Sequence, residues 1–306
     1  MELAVKYITA EDGVKIAYVD EGTGPVMIYQ YGMGSSLDLS EEFVNQMKNF
    51  FRIIIFEIRG YGYTPYEGEI SVPRIAKDLD CLIKELDLSD VILFGYSMGA
   101  AVVMSYVEQF GCDRLSKLII TDMSAKLIRD ETWPYGLYQG NYTQEDADFD
   151  ARDMEAGNYE RWALTLIEQL MFTNSPENPR ELRSSVEEIK ARIAAKEHDP
   201  VIEQVLIAGM ITMASEEKKK ANMLYTASLG ELDFRDMLKT ITVPTALIYA
   251  DPGSGYQPAD AEYMHERIPE SVLMPMKDCS HMCAMENPAL LVQYVFGFCD
   301  IKIPGM

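Results

Sequence analysis

Four runs of consecutive, mostly apolar residues bounded by turn-forming residues limit what this chain can fold into: Arg52-Ile53-Ile54-Ile55-Phe56-Glu57-Ile58, Val91-Ile92-Leu93-Phe94, Lys117-Leu118-Ile119-Ile120-Thr121 and Thr245-Ala246-Leu247-Ile248-Tyr249. A strand reads this way when helices cover both faces of its sheet, which is the situation in a parallel sheet. Helical periodicity over 74–87 and 98–110 separates the first three runs, so the β-α-β alternation predicts an α/β fold. Ahead of them, 3–9 and 14–19 read as strands joined by the turn Glu11-Asp12-Gly13. A further strand from Val26 to Tyr31 runs into Gly32 and Gly34.

Between Met123 and Ile241 the alternation stops. The stretch reads as several helices, among them Tyr159 to Phe172 and Pro200 to Ser215, broken by the loop Asn174-Ser175-Pro176-Glu177-Asn178-Pro179. The alternation resumes with a strand at 245–250, a helix at 259–267, a short strand at 271–276 and a closing helix from Pro288 to Phe298. The expected architecture is a mostly parallel twisted sheet flanked by helices, made of 1–122 and 241–306, with 123–240 as an inserted helical cap.

Composition narrows the function classes. Lys and Arg number 27 against 49 Asp and Glu, and the net charge of −22 would repel a phosphate backbone or an anionic leaflet, so neither nucleic acid nor a membrane is an expected partner. Acidic runs such as Glu145, Asp146, Asp148, Asp150, Asp153 and Glu155 read as solvated helix faces, as does Lys218-Lys219-Lys220. The N-terminus lacks a signal-peptide pattern, and no run of 18 or more apolar residues occurs. Five cysteines, an odd number, suit a reducing cytoplasm. Three ligand-type residues crowded into Cys279-Ser280-His281-Met282-Cys283 do not make a metal set, and with no phosphate-loop motif no cofactor is expected.

Gly95-Tyr96-Ser97-Met98-Gly99 follows the strand at 91–94 and opens the helix at 98–110. Small flanking residues let the backbone crowd into a tight strand-to-helix turn that exposes the serine hydroxyl, which makes Ser97 the candidate nucleophile; the plainer reading is a helix N-cap serine. Activation near neutral pH needs a base, and the chain has three histidines. His265 lies on a polar helix face and His198 beside Asp199-Pro200, whereas His281 sits in a loop between a strand and a helix and is the expected base.

On these residues the chain resembles the capped serine hydrolases of the α/β-hydrolase fold, esterase- and lactonase-like, and also sequences of the cofactor-free haloperoxidase type. Tyr31-Gly32-Met33-Gly34 stands where the family has its His-Gly oxyanion loop. Arg59-Gly60-Tyr61-Gly62-Tyr63-Thr64 resembles the family's arginine-glycine turn, and Ser280-His281 precedes the last helix. Two positions depart from the pattern: Tyr31 replaces the usual histidine and Glu57 the usual aspartate. The amides of Met33 and Met98 are the oxyanion donors that the resemblance implies. Tyr31 either adds a hydroxyl near the substrate or packs as an aromatic. The acid stays open between two residues, since the common position matches Gly253, which has no carboxylate. Asp122, after the strand at 117–121, fits the alternative acid site of some family members; Asp251 lies two residues early.

The resemblance implies cleavage of a carboxylic ester or lactone of a fairly hydrophobic small molecule through an acyl-enzyme on Ser97. A carbon–carbon bond hydrolase, a cofactor-free perhydrolase or haloperoxidase, and a non-catalytic small-molecule binder on the same scaffold are the rivals. The aromatic- and methionine-rich insert (Trp133, Tyr135, Tyr138, Tyr142, Trp162, Met171, Phe172, Met210, Met213, Met223, Tyr225) is read as helix core with a subset lining the pocket.

Overall fold

The computed structural model describes residues 4–172, 185–195 and 204–302. Its strands are β1 (Lys6–Thr9), β2 (Lys15–Glu21), β3 (Val26–Gln30), β4 (Arg52–Phe56), β5 (Val91–Tyr96), β6 (Leu115–Thr121), β7 (Thr245–Pro252) and β8 (Ser271–Cys279). They form one sheet in the order β1-β2-β4-β3-β5-β6-β7-β8. Only β2 runs against its neighbours, and every other adjacent pair is parallel. Every residue of β5 is buried, as are Ile53 to Phe56 of β4, which is why these strands read as unbroken apolar runs rather than as alternating ones.

Helices α1 (Glu41–Met47), α2 (Val72–Glu85) and α3 (Met98–Phe110) serve the first half of the sheet. Ser71 caps α2 by accepting the Arg74 amide, and Pro73 occupies its first turn. α1 spans seven residues, too short for the periodicity that reveals a helix in sequence. Between β6 and β7 come α4 (Gln144–Glu155), α5 (Tyr159–Phe172), α6 (Val186–Ala195), a wide π-helical segment at Gln204–Thr212 and α7 (Glu216–Glu231). α8 (Pro258–His265) and α9 (Pro288–Phe298) follow. The loop expected at 174–179, residues 200–203 of an expected helix, and His198 lie outside the described residues.

The segment between β6 and β7 carries a small core of its own, built from Tyr159, Trp162 and Ile167 of α5, Ile189 of α6, and Met210, and closed by Met282 from the loop after β8. It is also tied to the elements around the sheet at several points. The Tyr225 hydroxyl donates to the Arg59 carbonyl at 2.8 Å, the Val72 amide to Ser228 Oγ at 2.9 Å, and the Gly136 amide to the buried Asp260 at 3.0 Å.

The sheet order fixes where a site can form. From β3 the chain steps outward to β4 on one side, while from β5 it proceeds to β6 on the other, so the loops leaving β3 and β5 diverge and open a crevice at their carboxyl ends.

A buried charge cluster braces the opposite flank. Arg59, fully buried, makes paired hydrogen bonds to Asp78 (2.7 and 2.8 Å) and to Asp12 (2.6 and 2.9 Å). Arg74 adds two bonds to Asp78 (2.9 and 3.1 Å). The cluster joins the β1–β2 turn, the loop after β4 and α2. Asp78→Ala leaves buried guanidinium groups without their shared carboxylate and should cost about 3–5 kcal/mol in denaturant unfolding. Asp12→Ala should cost clearly less, because the Asp12 side chain is one-third exposed.

Candidate active site

Ser97 occupies the turn from β5 into α3 with φ 55° and ψ −125°, a backbone conformation that costs an L residue about 1–3 kcal/mol and persists only where its surroundings enforce it. The enforcement is visible at the two glycines of the motif. A Cβ on Gly99 would stand 2.0 Å from the Gln30 carbonyl oxygen, and one on Gly95 would stand 2.3 Å from that of Gly99. Only glycine lets α3 begin so close to the end of β3. The Ser97 amide donates to the Thr121 carbonyl at 2.9 Å, and its side chain makes no helix-capping bond, which leaves the hydroxyl for other use.

That hydroxyl meets His281: Oγ lies 2.9 Å from Nε2. The other ring nitrogen, Nδ1, lies 2.6 Å from Asp122 Oδ2, and Asp122 Oδ1 accepts the Ala250 amide at 2.8 Å, so the carboxylate is held from both sides. His281 and Asp122 are both buried. The imidazole is packed between aromatic rings, parallel to Tyr96 and edge-on to Tyr256. Its backbone is pinned by the Tyr96 hydroxyl on the His281 carbonyl (2.7 Å) and by Ser254 Oγ, which accepts the His281 amide (2.9 Å).

Of the two carboxylates left open by the sequence, Asp122 is therefore the one in contact with the imidazole. Asp251 points elsewhere and pairs with Lys277 at the surface. The loop after β7 approaches the ring with backbone instead of a carboxylate: a Cβ on Gly255 would stand 3.2 Å from His281 Nδ1. His265, the other described histidine, is exposed and bonds Ser271 Oγ at 2.9 Å.

Gly32 packs directly on the serine, where a Cβ would meet Ser97 Cβ at 2.9 Å. Met33 and Met98 border the same cavity as Ser97 and His281. Neither of their amides has a hydrogen-bond acceptor among the described residues, the Met98 amide because it sits in the first turn of α3.

The two departures from the family pattern prove to be partners. The Tyr31 hydroxyl donates to Glu57 Oε1 at 2.7 Å, and Glu57 also accepts the amides of Leu37 (3.1 Å) and Tyr63 (3.3 Å). Tyr31 thus borders the cavity with its ring, and its hydroxyl is turned to the carboxylate rather than to the reaction centre. Burial pushes the Glu57 carboxyl up and the Tyr31 phenol well up.

Two readings of charge runs as solvated helix faces need correction. Lys218 of α7 is half-buried: its Nζ donates to the Gly34 and Ser35 carbonyls (3.3 and 3.4 Å) and lies 4.4 Å over the Tyr61 ring. Burial lowers its ammonium to about 8, against the opposing attraction of Glu57. In the acidic run, Asp146 is buried in the capping box of α4 and Asp150 borders the cavity, while Glu145, Asp148 and Glu155 are exposed. Both runs follow a capping residue, Thr143 or Ser215, so their helical placement was legible; which side of each helix would be covered was not.

The insert supplies much of the cavity wall, including Tyr138, Tyr142, Trp162 and Met210. Tyr225 and Trp133 are core instead, and Met213 is exposed. Among the described residues no group of His, Cys, Asp and Glu side chains is arranged to hold a metal ion, and no helix is long and apolar enough to cross a membrane. The five cysteines are free thiols.

Comparison with known proteins places this geometry in context. The non-heme haloperoxidase of Rhodococcus erythropolis is 29% identical over 134 residues, a match spanning 43% of this chain and about half (49%) of that protein. The pimeloyl-[acyl-carrier protein] methyl ester esterase of Aeromonas hydrophila is 23% identical over 282 residues, covering 90% of this chain and 96% of the esterase. The solved esterase of Exiguobacterium antarcticum superposes with a TM-score of 0.78 at 22% identity over 97% of this chain and 100% of its own. The alpha/beta hydrolase fold family model matches residues 25–288, from β3 through β8 with the segment between β6 and β7, and the chain belongs to that family.

Proposed function

We propose that the protein is a serine hydrolase that cleaves a small, largely apolar carboxylic ester or lactone through an acyl-enzyme on Ser97. The observation that carries this reading is the continuous chain Ser97 Oγ–His281 Nε2 (2.9 Å) and His281 Nδ1–Asp122 Oδ2 (2.6 Å), opening on a cavity bordered by two amides without acceptors. Ser97 Oγ attacks the carbonyl carbon while His281 Nε2 takes its proton. Asp122 holds the imidazole in the tautomer that receives the proton and stabilises the imidazolium. The Met33 and Met98 amides donate to the oxygen on which charge develops. His281 then returns the proton to the leaving oxygen as the carbon–oxygen bond breaks, and water enters by the same steps in reverse order. The cavity volume of about 90 Å³ is below the ~150 Å³ that admits benzene in an engineered cavity, which favours short acyl groups.

The helical segment between β6 and β7 acts in this reading as a cap that excludes water. Lys218 links it to the oxyanion loop: by holding the Gly34 and Ser35 carbonyls it steadies the loop just beyond the peptide that presents the Met33 amide. A second reading, acyl transfer to hydrogen peroxide instead of water, is favoured by the similarity to the Rhodococcus haloperoxidase. The same residues would serve both, and halogenation of an acceptor in acetate and peroxide, compared with ester hydrolysis, separates them.

Three outcomes test the proposal. A fluorophosphonate probe should label Ser97, with labelling lost in Ser97→Ala and strongly reduced in His281→Ala; a folded protein that resists labelling would overturn it. Asp122→Asn should lower kcat for short p-nitrophenyl esters by about three to four decades, and Asp251→Asn by less than about threefold. Lys218→Met should lower kcat about tenfold with little change in KM, the size expected for loss of a charged hydrogen bond. Because Lys218 is protonated below about 8 and neutral above it, kcat should decline as pH rises through that value. Lys218→Arg, which keeps its charge, should remove the decline.

A further inference from the structure

The cavity wall is apolar over most of its area, with Met123, Leu137, Trp162, Ile167 and Met210 among its residues, yet among the described residues it contains one carboxylate, Asp150 of α4. Its Oδ2 accepts the Tyr142 hydroxyl at 2.8 Å, and among the described residues Oδ1 has no donor. The nearby charges are committed elsewhere. Asp146 accepts the Thr143 amide and hydroxyl (2.9 and 2.6 Å), and Asp153 is paired with Arg161 and accepts Asn158 Nδ2 (2.9 Å). Arg161 also lies over the Phe149 ring at 5.3 Å. Asp150 is thus a partly desolvated carboxylate that borders the substrate space with one oxygen unused. Such a group costs free energy unless a partner of opposite charge completes it, and Asp150 stands in the wall of the same cavity as Ser97 and His281. A few placed polar groups in an apolar pocket set orientation and specificity, and a site built around a donor discriminates strongly against an analogue lacking it.

We infer that Asp150, supported by Tyr142, binds a primary ammonium at the end of the substrate remote from the scissile carbonyl, so that the cavity selects amine-bearing esters over their alkyl isosteres. This rests on the acyl-transfer reading of Ser97 and specifies its substrate class. Burial raises the Asp150 carboxyl to about 6, with Asp146 and Asp153 adding to the rise and Tyr142 and Arg161 opposing it, so the group is ionised in assays above neutral pH. The acidity of the whole chain also attracts cations, but that field is diffuse and screened by salt, whereas a contact with Asp150 is local.

Boronic acids, which add reversibly to an activated serine hydroxyl, provide the test. Inhibition of p-nitrophenyl acetate hydrolysis at about pH 8 is compared for 3-aminopropyl- and 4-aminobutylboronic acid and for their isosteres n-butyl- and n-pentylboronic acid. At least one aminoalkyl compound should bind about tenfold or more tightly than its isostere. The preference should persist at about 1 M sodium chloride, where the Debye length is about 3 Å, and it should vanish in Asp150→Asn. Equal or tighter binding of the alkyl compounds by the wild-type protein overturns the inference whatever the fate of the variant, as does a preference retained in folded Asp150→Asn. Absence of both acetate hydrolysis and boronate inhibition overturns the serine-hydrolase reading, and this inference with it.

Discussion

The crowding of α3 against the end of β3 is the constraint on which the site depends. With the Gly99 Cα position pressed onto the Gln30 carbonyl, the chain leaving β5 has no room for an ordinary turn, and Ser97 is driven to positive φ. The same crowding brings the loop after β3 beside the serine, so Gly32 touches Ser97 and Met33 borders the cavity alongside Met98. Strain at one residue and the juxtaposition of two loops thus have a single cause. It is sustained by a sheet in which β5 is buried throughout and β4 from Ile53 to Phe56, leaving them little room to relax toward solvent.

On the far side of the serine, the imidazole is placed by contacts drawn from distant parts of the chain. Tyr96 holds the His281 carbonyl, Ser254 the amide and Asp122 the ring. Asp122 is itself fixed by the Ala250 amide and has positive φ, so the carboxylate depends on β6 and β7 lying side by side. An imidazole held at both nitrogens and at its backbone has little freedom left to lose, which is the physical content of preorganisation.

The segment between β6 and β7 does more than cover the crevice. Through Lys218 and Asn222, α7 reaches the loop after β3 and Tyr61; Asn222 also accepts from Tyr61 and donates to the Tyr159 hydroxyl at 2.6 Å, connecting the Arg59–Thr64 turn to α5. Tyr31 and Glu57 form the floor beneath this arrangement. A tyrosine paired with a glutamate replaces the shorter side chains expected at those positions, and each explains the presence of the other: the phenol fills a buried space and the carboxylate satisfies its hydroxyl.

Local pattern determined a great deal of this molecule. The apolar runs located β4 to β7 because burial on both faces removes alternation, turn and glycine residues bounded the first strands, and the Gly-x-Ser-x-Gly spacing located the serine because no other residue tolerates the contacts at Gly95 and Gly99. Scarcity located His281, the one histidine of three set between a strand and a helix. Tertiary structure alone decided between Asp122 and Asp251, since both lie at the carboxyl ends of parallel strands and only the packed structure shows that one reaches the imidazole while the other pairs with Lys277. It also decided the fate of charged residues on α4 and α7. A run of like side chains specifies a helix but not which of its faces another element will cover, and so Lys218 and Asp150, read as solvated, lie against the loop after β3 and the cavity. Sequence pattern encodes what each residue does to its own stretch of backbone; a site is made where separate stretches meet, and their meeting is a property of the packed whole.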